Sequence, residues 1–155
     1  MRYVTTPIPE TPVACGQEEW WMLAAQVGDE IGALMNAPRD SVACLQYVTA
    51  CEATVASRLD FSRRRNKVVY TDPNIPSIMY FWEAQRIRKA HGVMVPNNDA
   101  AHVTTERLLD AMDDETLIVP IAHVMVRGAF IQDVATIVEK AHRVGAYVLL
   151  DSFQD

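Results

Sequence analysis

The apolar positions of this sequence change period along the chain. Between Glu18 and Met35 they fall at Trp20, Ala24, Val27, Ile31 and Leu34, three and four residues apart, which predicts a helix with one apolar stripe. Glu18 and Glu19 suit its positive end, and Pro38 lies past its stop. From Ser41 onward short apolar runs alternate with helical periods. The runs Ser41–Val48 (SVACLQYV), Lys67–Thr71 (KVVYT), Gly92–Val95, Thr116–Ala122 (TLIVPIA) and Ala146–Leu150 (AYVLL) read as strands, because a strand covered on both faces loses the polar alternation of a half-exposed one. Helices are predicted between them. One covers Ala50–Phe61 with Thr49 as N-cap, and one covers Pro76–Ala90 with Met79, Trp82 and Ile87 inward. A short one runs from Thr104 to Met112, and the last covers Gln132–Val144 with Val134, Ile137, Val138 and Ala141 on one face and Gly145 past its end. Pro120 is awkward, since proline cannot donate within a central ladder. Residues 1–16, rich in Pro and Thr, read as an extended arm ahead of one domain over residues 17–155.

Strand–helix units in this order call for parallel strands joined by right-handed crossovers. The expected fold is α/β, a three-layer α/β/α sandwich around a mostly parallel sheet. Ligands of such sheets bind beyond the strands' carboxyl ends. There the sequence places Thr49-Ala50-Cys51-Glu52, then Asp72, Pro73 and Asn74, then His123 with Arg127 and Gly128, and finally Asp151, Ser152, Phe153 and Gln154. Two of these can do a definite job. The amides of Ala50 and Cys51, free at a helix start, would suit a phosphate. Asp151, ending a buried strand, needs a partner, and a protonated ring nitrogen would serve. Plainer roles exist for each: helix starts of this kind are common, an Asp after a strand often caps a turn, and a single histidine is often structural. The glycine fingerprints of dinucleotide and P-loop sites are absent.

Composition narrows the partners. With 50% hydrophobic and 22% charged residues the balance is that of a globular domain. No run approaches the ~18–20 apolar residues of a membrane span, and the first residues lack a signal peptide's pattern, so the expected location is cytoplasmic. A net charge of −6 argues against nucleic acid. The one basic cluster, Arg63, Arg64, Arg65 and Lys67, reads as a solvated loop, with a phosphate or acidic contact as the alternative. Cys15, Cys44 and Cys51 show no metal-ligand spacing; reduced thiols are expected, with Cys44 buried and no metal.

The order of these pieces resembles the large domain of fold-type I enzymes that use pyridoxal 5′-phosphate (PLP), of the class V aminotransferase family and kynureninase-like. The resemblance lies in VGDEIGALMNAPRDSV (Val27 to Val42), in NKVVYTDPNIPSIMY (Asn66 to Tyr80), and above all in the segment from Leu117 to Asp155, with its His-Val loop and its Asp-x-x-Gln strand end. It implies a PLP-dependent enzyme acting on an amino acid by lyase, hydrolase or desulfurase chemistry. It also implies cofactor-binding positions: Thr49, Ala50 and Cys51 at the phosphate, Ile75 over the ring, His123 in the loop, Asp151 at the ring nitrogen and Gln154 near the phenolic oxygen. Cys51 stands where the family has Thr or Ser, Ile75 cannot stack, Ile78 replaces an Asp, and Met125, Val126 and Gly128 replace polar residues. The family's Schiff-base lysine lies beyond the Asp-x-x-Gln segment, so Lys67, Lys89 and Lys140 are not expected to serve and the catalytic residue is unknown. The alternative is a non-catalytic, degenerate homologue acting as an assembly or regulatory subunit. Either way a homo-oligomer or a companion chain is expected to complete the molecule.

Overall fold

The β-branched and aromatic runs form the sheet. In the computed structural model, which describes residues 19–72, 76–96, 104–126 and 128–154, with side chains from residue 22, they become β1 (Lys67–Thr71), β2 (His91–Val95), β3 (Thr116–Ala122) and β4 (Tyr147–Asp151), in the order β2-β1-β3-β4. Every ladder between them is parallel. The chain divides into two compact units, residues 1–46 and 47–155. The expected arm over residues 1–16 lies outside the described residues, as does Ile75.

The sheet lies in the second unit, and its two faces collect different helices. Val68, Tyr70 and Ile118 point to one side, where they bury Ala56 and Phe61 together with Ile78 and Trp82. Those residues come from α2 (Val48–Ser57), the loop after it and α3 (Pro76–Ala84). Val69, Val119 and Ile121 point to the other side, against Leu108 of α4 (Thr105–Asp110) and Ile137 and Ala141 of α5 (Val134–Val144). The expected three-layer α/β/α sandwich is therefore present, and strand alternation decides which layer each side chain meets.

The run over residues 41–48 is not a strand, contrary to the sequence reading. Residues 41–45 carry no regular structure and Val48 already belongs to α2. Local bonds within the first unit hold this segment instead of a ladder. The Asp40 amide and the Arg39 guanidinium both donate to Asp29 (2.8 and 3.0 Å), on α1 (Glu19–Leu34). The Val42 carbonyl oxygen would lie 2.4 Å from a Cβ at Gly28, an approach only glycine permits. Cys44, expected to be buried, is exposed, because no neighbouring strand covers it.

Other differences are smaller. The helix from Pro76 tightens into a 3-10 turn over Gln85–Arg88 and stops at Lys89, φ 73°, which leaves Ile87 exposed rather than inward. Pro120, awkward in the sequence, lies within β3 and is registered with Leu149 of β4. The basic cluster is consumed at the sheet's amino end. Arg64 pairs with Asp114 and Lys67 with Asp113, while Arg65 Nη1 donates to the carbonyls of Thr116 (3.0 Å) and Val144 (2.6 Å). Among the described residues no helix is long and apolar enough to cross a membrane.

Candidate functional site

The carboxyl ends of β3 and β4 are tied together. Ala122 pairs with Asp151, and the His123 amide donates to the Asp151 carbonyl (2.8 Å). The chain after His123 folds back on itself: the Gln132 amide donates to the His123 carbonyl (2.9 Å) and its buried side-chain amide donates to the Ala122 carbonyl. This hairpin-like return buries Met125 and holds His123 beside Asp151. The residues singled out on these two strands therefore meet.

Asp151 has the same strand parity as Leu149, which packs in the α2–α3 layer, so its side chain belongs to that face. Its Oδ1 accepts from the Phe153 amide (3.0 Å), the turn-capping role foreseen as the plain alternative. Its Oδ2, however, is buried with no donor. Gln154 Oε1 is buried and equally without a partner. A buried carboxylate oxygen left bare costs free energy unless something meets it.

At the start of α2 the geometry departs from expectation. The helix begins at Val48, with Tyr47 as an N-cap that makes no side-chain bond. The Tyr47 carbonyl takes the amides of Ala50 (3.0 Å) and Cys51 (3.3 Å). Those two amides are thus not free, and the uncommitted donors of the first turn belong to Val48 and Thr49. Thr49 and Ala50 are half-buried and Cys51 is exposed.

The sequence reading quoted Glu52 and gave it no role. It is 4% exposed, and its Oε2 has no donor. Burial pushes its carboxyl up to about 7; the Trp82 indole opposes this and the negative Asp151 adds to it. The Trp82 N–H is itself buried without a completed hydrogen bond. The available signal was position: Glu52 precedes the buried Ala56 by one helical turn, so it shares the inward face.

The residues present fit one end of a cationic, phosphate-bearing ring: a bare buried carboxylate oxygen at Asp151 and a bare amide oxygen at Gln154. The phosphate end fits only in altered form, through the amides of Val48 and Thr49. These bare polar atoms lie at the strand carboxyl ends of an open parallel sheet, the place where α/β domains of this kind bind ligands. The chain belongs to the aminotransferase class-V family, whose description matches residues 18–155. It is 29% identical over 126 residues to the uncharacterized aminotransferase YcbU of Bacillus subtilis, covering 81% of this chain and 33% of that protein. It is 22% identical over 142 residues to a kynureninase of Bacillus cereus, covering 88% and 33%. Its fold matches the cystine C-S lyase C-DES, solved with its product cysteine persulfide, at a TM-score of 0.75 and 20% identity over 87% of this chain and 37% of that one. The chain spans about a third of the length of the curated relatives it matches.

Proposed function

We propose that this chain forms part of the cofactor-binding domain of a PLP-dependent enzyme that acts on an amino acid by lyase, hydrolase or desulfurase chemistry. The observation that carries the reading is the buried, unpartnered Oδ2 of Asp151 at the carboxyl end of β4. An anion there keeps a pyridine nitrogen protonated, and a protonated ring is the better electron sink, which is the chemistry the cofactor supplies when bound. Gln154 would orient the ring from its phenolic side, His123 would flank Asp151, and the first turn of α2 would face the phosphate through the amides of Val48 and Thr49. Ile75 remains a candidate for the ring face. The setting is cytoplasmic, and a homo-oligomer or companion chain supplies the rest of the site.

The lysines of this chain are set aside in this reading. Lys67 opens β1 at its amino end, ion-paired to Asp113, and the site lies at the other end of that strand. Lys89 ends the 3-10 turn on the α3 side and Lys140 sits on α5, in the opposite layer. A second reading, a non-catalytic homologue, is favoured by Ile78, which is 1% exposed and fully part of the α2–α3 core where kynureninase-like sequences carry an Asp.

The test is titration with PLP, followed by borohydride reduction and mass mapping. Binding that is lost in Asp151→Ala, with no stoichiometric label on Lys67, Lys89 or Lys140, is the expected result. Retained binding in Asp151→Ala, or a single stoichiometric pyridoxyl group on one of those lysines, contradicts the assignment.

A further inference from the structure

The buried face of α2 carries one alanine and one carboxyl, Ala56 and Glu52. What surrounds the carboxyl is unusual for an acid. From α3 the facing group is the uncharged Trp82, and from β4 it is another acid, Asp151. His123 stands beside Asp151 on the loop after β3. The cations nearest α2 serve its far end. Arg88 donates to the carbonyls of Ala56 (2.9 Å) and Leu59 (3.1 Å), and Arg58 follows the last turn. Neither is among the groups that act on Glu52. Two carboxyl oxygens, Glu52 Oε2 and Asp151 Oδ2, are thus buried on one face of the sheet, each without a hydrogen-bond partner. Like charges so placed cannot both persist without a large cost.

We propose that Glu52 is a positioning residue that holds a proton beside Asp151, so that the two buried carboxyls share one negative charge and present it to a cationic N–H group of a ring ligand. The inference rests on reading Asp151 as the partner of such a nitrogen. The upward push of the Glu52 carboxyl to about 7 accords with it. Glu52 sits in the second turn of α2, where the helix's positive end favours the ionised form; burial and Asp151 outweigh that. A neutral Glu52 also keeps an O–H available as a donor inside the site.

The test is a carbon-detected NMR titration of the side-chain carboxyls of the full chain over about pH 4 to 9, which brackets both the ordinary and the raised position of Glu52. Glu52 is expected to titrate near 7, and Asp151→Asn to lower that midpoint, because a nearby like charge is removed while the burial remains. A Glu52 midpoint in the ordinary carboxylate range, or one that Asp151→Asn leaves in place, overturns the proposal. If Asp151→Asn fails to fold, Asp151→Ser serves as the second variant, and a Glu52 midpoint that a folded Asp151 variant leaves in place overturns the proposal in the same way. Pyridoxine 5′-phosphate, which has no aldehyde, then tests the ligand. Once bound it should lower the Glu52 midpoint, and binding without that shift overturns the proposal. Absence of binding defeats the cofactor reading alone, because the free chain's titration still decides the carboxyl pair.

Discussion

Glu52 costs this protein stability in a pH-dependent way. Its carboxyl titrates at 4.5 when unperturbed and is pushed to about 7 in the fold, so the folded state binds the extra proton between those values. The sign follows from linkage: stability contributed by the neutral form is complete below 4.5 and declines as pH rises through about 7. Asp60 works in the opposite sense. Its bonds from Ser62 and Arg63 pull it down to about 2, so what it contributes is present above its ordinary range and lost as pH falls. Glu52→Gln removes the charge while keeping the shape. In urea unfolding it should gain about 1–3 kcal/mol over the wild type at pH 8, the cost of a buried unsatisfied polar group, and little at pH 5. An equal difference at both pH values would show that Glu52 is not the titrating group. The sequence marked Asp151, His123 and Gln154 because each follows a strand end, a property of order along the chain. It passed over Glu52 because nothing local separates an inward glutamate in a helix's second turn from a solvated one. Only the packing of Trp82 over that face does so.

Elements were legible to different degrees. The strands KVVYT and TLIVPIA were read to the residue, since a continuous β-branched run between turn signals has few alternatives. The run SVACLQYV was misread: it holds only two β-branched residues, Val42 and Val48, and the bonds of Asp29 claim its approach. At α5 the start was read at Gln132, two residues early, because Asp133 caps the helix by accepting from the Thr136 amide (3.1 Å). Its end was legible, since the chemistry is explicit: Gly145 closes it at φ 79°. What the sequence hid is the clamp on that closure. Arg65 reaches across from the loop before β1 to join the last carbonyl of α5 to that of Thr116 in β3, and its guanidinium fills the space a Cβ on Gly145 would enter (3.1 Å). Arg65→Met should lower stability by about 1–3 kcal/mol through the loss of charged hydrogen bonds. Gly145→Ala should cost about 1–2 kcal/mol for the left-handed backbone alone. Because the two side chains would collide, a double-mutant cycle in chemical denaturation should show non-additivity. Strict additivity would mean that Arg65 does not pack on the helix end.

At the scale of the sheet, the order β2-β1-β3-β4 leaves β4 at an edge among the described residues, although its sequence AYVLL reads as a strand covered on both faces. Tyr147 (64%) and Leu150 (41%) are exposed. Beside them Val55, Leu59, Ile118 and Leu149 line an open groove of about 490 Å³ that continues from α2 onto β4. An unpaired edge next to apolar surface is a template for another strand or chain, and Asp151, the centre of the proposed site, ends that same strand. Completion of the edge and completion of the site are therefore one event in this reading. The chain should self-associate or take up a companion in solution, and in sedimentation velocity the apparent mass should rise with concentration. Tyr147→Lys, which places a charge on the exposed edge without touching Asp151, should shift the protein toward monomer while changing its unfolding free energy by no more than about 0.5 kcal/mol, as surface changes generally do. A wild-type chain that stays monomeric across the concentration range would refute the oligomer. An association that Tyr147→Lys leaves untouched would place the interface on another face.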